Sequence, residues 1–156
     1  MNSLINNELN KMIEICDNYA QHCVQKIFLY ICFENMVQVD FFYEFNKTIL
    51  EPHKLNDSNC EFKFDVSEKT QEVVGKALFD KAKKIIDIYK NEKEQPPVEI
   101  KAVYDNKNTE ISISDTAKFK SYMGLCYFYN QWLEEEKYKC ALENGEIQKQ
   151  QYLKAG

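Results

Sequence analysis

The chain has 156 residues, enough for one domain, and 44% of them are apolar, which excludes a disordered chain. Lysine supplies all 20 basic residues against 25 acidic ones, giving a formal net charge of -5 without a single arginine. The fork chemistry that clamps phosphates and reads guanine is therefore missing, which argues against a nucleic-acid ligand and for a basic protein partner. No apolar run is long enough for a membrane span, and the opening MNSLINNELN lacks the apolar core of an export signal, so a cytoplasmic protein is expected.

Residues 3–23 predict a first helix, because Ile5, Leu9, Met12, Cys16, Tyr19 and Cys23 recur at steps of four and three; Ser3 is the candidate N-cap. KIFLYICFENMVQVDFFYEF, residues 26–45, then predicts a β-hairpin with Glu34-Asn35-Met36 as its loop. In that register Phe33 faces Val37, Ile31 faces Val39, Leu29 faces Phe41 and Ile27 faces Tyr43, all apolar and on one side. The other side pairs Cys32 with Gln38, Tyr30 with Asp40, Phe28 with Phe42 and Lys26 with Glu44. A slip of one residue would mix the two sides, so the register is specified.

Residues 46–59 predict a loop, and the alternation of Cys60, Phe62, Phe64 and Val66 predicts a third strand. Ser67 is positioned to cap a second helix running to about residue 91, with Val74, Leu78, Ile85 and Tyr89 on its apolar side; Pro96 and Pro97 cannot continue it. VEIKAVY, the turn DNKN and TEISIS predict a second hairpin. Asp115 or Thr116 would cap a last helix carrying Phe119, Met123, Cys126 and Leu133 and stopping at Asn144-Gly145. The order α-β-β-β-α-β-β-α is that of an α+β domain over 1–145, an antiparallel sheet of about five strands with helices on one face and the other at least partly open; residues 146–156 form a polar tail.

No glycine-rich phosphate loop is present. The six cysteines show no CxxC pair, and four fall at apolar positions of predicted elements, which points to reduced, mostly buried thiols. Cys16, His22 and Cys23 do not converge on one helix, so no metal is expected. His53 could act as a general base, with Cys60 as its nucleophile, but no complete catalytic set is visible; no catalytic residue and no cofactor is assigned. The unusual feature is the mixed side of the first hairpin, where Phe28, Tyr30 and Phe42 sit beside Glu34, Asp40 and Glu44. Either a helix covers these rings or they are anchors ringed by carboxylates. A second acidic run, Glu134, Glu135 and Glu136, follows Trp132. The candidate partner-binding residues are thus Tyr30, Glu34, Asp40, Phe42, Glu44, Trp132, Glu134, Glu135 and Glu136.

The opening amphipathic helix, KIFLYICFE, VQVDFFYEF, the helix with ALFDKAKKIIDIY and the proline-led PPVEIKAVYD together resemble the YezG-like immunity proteins over about residues 4–114. Gln25 and Val98 stand where that family often has tryptophan. The resemblance implies a cytosolic α+β protein that neutralises a nuclease toxin delivered between bacteria by a polymorphic-toxin or type VII system, by binding and without chemistry. The expected partner is then a basic toxin. A small regulatory or scaffold module and a small-molecule enzyme are the alternatives, and a buried pocket around His53 would favour the enzyme.

Overall fold

The computed structural model describes residues 1–34, 36–115 and 126–146. It contains α1 (Asn2–Tyr19), β1 (Lys26–Cys32), β2 (Gln38–Phe45), β3 (Thr48–Leu50), a 3-10 helix (Pro52–Asp57), α2 (Glu68–Asn91), β4 (Glu99–Tyr104), β5 (Thr109–Ser114) and α3 (Tyr127–Glu143). The five strands form one antiparallel sheet in the order β3-β2-β1-β4-β5. The fold class and element order follow the sequence reading.

The first hairpin pairs Lys26 with Glu44, Tyr30 with Asp40, Leu29 with Phe41 and Cys32 with Gln38, the register the two-sided pattern demands. Its strands end at Cys32 and Gln38, so Phe33 and Val37 stand outside the ladder, and Asn35 lies outside the described residues. The second hairpin pairs Glu99 with Ser114 and Tyr104 with Thr109; its turn is closed by the Asp105 carboxylate, which accepts from the amides of Lys107 and Asn108. Those two bonds hold Asp105 below the usual carboxylate range.

Helices α1 and α2 pack on one side of the sheet. Ile5, Leu9, Met12 and Cys16 of α1 and Leu78, Ala82 and Ile85 of α2 meet Ile27, Leu29, Ile31, Tyr43, Ile100 and Ala102 in a continuous apolar core. Ser67 caps α2, accepting from the Thr70 amide at 3.3 Å. Met1 occupies the cap position of α1 and gives no side-chain bond, so Ser3 is not the cap. All three α-helices end in the same motif: the amides of Gln21, Lys93 and Gly145 turn back to Asn18, Lys90 and Leu142, and those of His22, Glu94 and Glu146 to Asp17, Tyr89 and Ala141. Gln21 and Lys93 take φ of 54° and 58° there without being glycine. The first of these stops ends α1 at Tyr19 and leaves Cys23 exposed, outside the helix expected to reach it.

Two expectations are corrected. The strand predicted at 60–66 is not one: the chain there is held by the Asn56 side chain, which donates to the Phe64 carbonyl at 3.0 Å and accepts from the Phe64 amide at 2.7 Å. One asparagine thus satisfies both backbone groups a neighbouring strand would have paired. The third strand lies instead in the stretch read as a loop, after a tight turn in which Asn46 and Lys47 have φ of 50° and 61°. The second correction is that the sheet is covered on both sides, because α3 lies on the face opposite α1 and α2. Thr116, Phe119 and Met123 and the tail from residue 147 fall outside the described residues, so the expected cap at Thr116 and the start of the last helix do too.

Candidate functional site

The mixed side of the first hairpin is an interior. Phe28, Tyr30 and Phe42 are buried beneath Tyr129, Trp132 and Leu133 of α3, together with Ile49 and Cys140. Phe28 and Phe42 stack at 4.5 Å, and Trp132 meets both edge-on at 5.6 Å and 5.2 Å. Tyr30, Phe42 and Trp132 therefore serve as core, not as the exposed anchors the sequence suggested, because each needs the apolar face of the other two elements to leave water. Of the acids, Glu34, Asp40, Glu44 and Glu136 are half-buried, while Glu134 and Glu135 are exposed. Glu134 and Glu136 pair with Lys137 and Lys139 on their own helix at 3.4 Å and 3.3 Å, as residues on a solvated helical face do. Glu135 and Trp132 line a depression of about 210 Å3 with Glu99, Lys101, Phe128 and Gln131.

Asp40 leads to a different place. Strand β3 pairs only with Tyr43, Glu44 and Phe45, so the earlier part of β2 has no described strand on its outer edge. There, between β2, the 3-10 helix, α2 and the start of α3, lies a pocket of about 240 Å3. Asp40 and Glu51 bring carboxylates to it, Tyr19, Phe41 and Tyr129 bring rings, and Gln71 and His53 complete the polar lining. The rings are fixed: the Tyr19 hydroxyl donates to the Pro52 carbonyl at 3.2 Å, and the Tyr129 hydroxyl to that of Phe41 at 3.1 Å. Tyr19 and Phe41 meet edge to face at 6.0 Å. Glu51 reaches the site because it precedes Pro52, which holds it in extended backbone at the start of the 3-10 helix.

The electrostatics of the pocket are one-sided. Burial raises Asp40 above its ordinary carboxylate range, and Glu51 adds to the rise; the Gln38 amide, which donates to Asp40, offsets part of it. Burial, with Asp40 and Glu51 behind it, also raises Tyr129, and burial pushes Tyr19 up to about 12. Both phenols thus stay protonated donors. Among the described residues no lysine forms an ion pair with Asp40 or Glu51.

Of the candidate partner-binding residues only Asp40 lines this pocket; Tyr19, Phe41, Glu51, Gln71 and Tyr129 were assigned elsewhere or passed over. They come from four elements and, for Glu51, the link between β3 and the 3-10 helix, and no local pattern marks them. His53 does line the pocket, as an enzyme would require, but its lining contains no serine, threonine, cysteine or lysine. Cys60 is exposed and is not part of the lining. Cys126 accepts from Gln38 at 3.4 Å beside Asp40, and burial followed by the Asp40 charge raises its thiol, which disfavours the reactive thiolate. Three cysteines, Cys16, Cys32 and Cys140, are buried and three are exposed, one fewer buried than the sequence suggested. His22 and Cys23 lie exposed beyond α1 while Cys16 is inside it, and among the described residues no group of three His, Cys, Asp or Glu is arranged to hold a metal ion.

No protein-family model matches the chain, and comparison with curated proteins returns no relative. Among the described residues no helix is long and apolar enough to cross a membrane.

Proposed function

We propose that this chain is an immunity protein, a cytoplasmic binder that blocks a basic toxin, of nuclease type, without chemistry of its own. The observation that carries the reading is the pocket at the edge of β2, where Asp40 and Glu51 stand among Tyr19, Phe41 and Tyr129 with no described lysine to neutralise them. Asp40 is held against burial and the nearby Glu51 charge, which lowers the stability of the free protein, and a cation from outside relieves that cost. A net charge of -5 draws a basic partner in, and a rigid aromatic wall gives it something to hold. The resemblance over residues 4–114 supplies the toxin class. Co-expression of the chain with the product of a neighbouring toxin gene tests it: survival of the host is expected with the chain and death without it. A chain that neither protects against nor binds any neighbouring gene product sinks the reading.

The enzyme reading has one observation in its favour, His53 in the same pocket as two carboxylates. Such a site would have to use a carboxylate or water as nucleophile, since the lining offers no hydroxyl, thiol or amine beyond the two phenols. His53→Ala separates the two: it abolishes an acid–base reaction and leaves protection by a binding protein within a few-fold of wild type.

A further inference from the structure

We infer that the pocket at the β2 edge is an arginine socket: it receives one arginine side chain projected by the protein partner. The inference rests on the reading of the chain as a binder of a basic protein, and it specifies which group is gripped.

Size is the first argument. At about 240 Å3 the pocket is smaller than the ~300–1,000 Å3 of sites that enclose metabolites, and it suits one long side chain. Composition is the second. The floor and walls combine Val74 and Leu78 with the rings of Tyr19, Phe41 and Tyr129, surfaces that accept the aliphatic stem and the flat face of a guanidinium. Asp40 and Glu51 then supply planar acceptors from two different elements. Gln71 commits its amide nitrogen to the Val66 carbonyl at 2.7 Å, which leaves its oxygen as a further acceptor. A guanidinium spreads several donors in one plane and matches such a divided set; an ammonium concentrates its charge at one point and keeps its water more tightly.

Preorganisation is the third argument. Both tyrosine hydroxyls are tied to backbone carbonyls, and Asp40 is held by Gln38, so the socket exists before the partner arrives. Little side-chain entropy is then lost on binding. The chain itself has no arginine, so no arginine of its own, in cis or from a second copy, competes for the site.

The test uses the full chain and a blocked tripeptide, acetyl-Gly-Arg-Gly-amide, titrated while the amide signals of Val39, Phe41 and Gly75 are followed by NMR. Saturable shifts confined to the pocket are expected. The citrulline peptide, equal in shape and uncharged, should bind at least roughly tenfold more weakly, and the lysine peptide severalfold more weakly. Asp40→Asn with Glu51→Gln should remove the arginine response. Equal responses to arginine and citrulline, or an unchanged response in the double variant, overturn the socket; equal responses to arginine and lysine overturn its choice of arginine. If the double variant does not fold, the citrulline comparison on the unaltered chain still decides. Wild-type protection against a toxin combined with no peptide discrimination refutes the socket alone, whereas absence of any toxin partner refutes the functional reading beneath it.

Discussion

The hydroxyl of Tyr30 on β1 donates a 2.8 Å hydrogen bond to the Glu99 carboxylate on β4, and both residues are buried beneath α3. Glu99 is the buried charged residue among the described residues, and it sits diagonally across the ladder from Tyr30, directly opposite Cys32. Burial, followed by this bond to Glu99, raises the Tyr30 phenol, so it stays a protonated donor at neutral pH. Tyr30→Phe keeps the ring and deletes the donor. It should lower unfolding stability by about 1.5–3 kcal/mol, the range for a bond to a charged group whose acceptor stays buried. An unchanged urea midpoint would show that the bond contributes nothing net.

Trp132 is the single tryptophan of the chain and the centre of the ring cluster that joins α3 to the sheet. Lys101 lies over its ring at 5.2 Å. Trp132→Ala should cost about 3–5 kcal/mol, through lost burial and a cavity that the stacked pair Phe28–Phe42 cannot fill. In the wild type the indole emission should be blue-shifted and move to the red in one transition together with loss of sheet signal. An earlier red shift would mean that α3 detaches before the sheet unfolds.

The hairpins were legible because a strand has a period of two: with Ile27, Leu29 and Ile31 all apolar opposite Val39, Phe41 and Tyr43, only one register keeps the faces unmixed. The same alternation misled at Cys60, Phe62 and Phe64, where Asn56 takes the place of a neighbouring strand, a bond made by a side chain that periodicity does not register. Strand β3 was hidden by its length of three residues and by a turn built from Asn46-Lys47 instead of Asn-Gly. Helix α3 was foreseen, but not the face it covers, because apolar residues also stand off the buried line of Tyr129, Trp132, Leu133 and Cys140, and Glu136 interrupts that line. Glu51 and Tyr129 meet Asp40 only through tertiary packing, so the pocket had no sequence signature at all.

The turn that hid β3 yields a stability prediction. Lys47 holds a left-handed φ of 61° whose backbone carbonyl accepts from Cys140 at 3.1 Å and Asn144 at 2.6 Å. Lys47→Gly relieves the strain at that position and retains the carbonyl, so the variant should gain about 1 kcal/mol in urea unfolding. A loss of stability would mean that the lysine stem, which lines the groove between this turn and α3, matters more than the backbone.

Asp40 should couple stability to pH in a defined direction. Burial raises its pKa in the folded chain, whereas the unfolded side chain titrates near about 3.9. Between those two values the folded state holds more protons than the unfolded one, so stability falls as pH climbs through the window. The contribution is present in full below the unfolded value and lost above the folded one. Asp40→Asn removes the dependence: its stability relative to wild type should grow as the pH rises above about 4. A difference independent of pH would show that Asp40 is not strained in the free protein.

The last prediction ranks two acidic surfaces. Glu134 and Glu136 are paired with lysines on α3, the exposed Glu134 pair being worth at most about 1 kcal/mol and the Glu136 pair standing on a half-buried carboxylate, and Glu135 stands at the rim of the Lys101 depression. Asp40 and Glu51 have no described lysine partner and share walls with three fixed rings. A group already neutralised and mobile gives a partner less than one that is unneutralised and held in place. On the proposed immunity reading, Glu134→Gln, Glu135→Gln and Glu136→Gln together should slow association with the toxin modestly and leave protection intact in a survival assay. Asp40→Asn with Glu51→Gln should speed dissociation about thirtyfold, the factor of one hot-spot contact, and forfeit protection at limiting expression. The opposite ranking, with the α3 acids essential and the pocket acids dispensable, would move the interface to the outer face of α3 and leave the β2-edge pocket without a part in it.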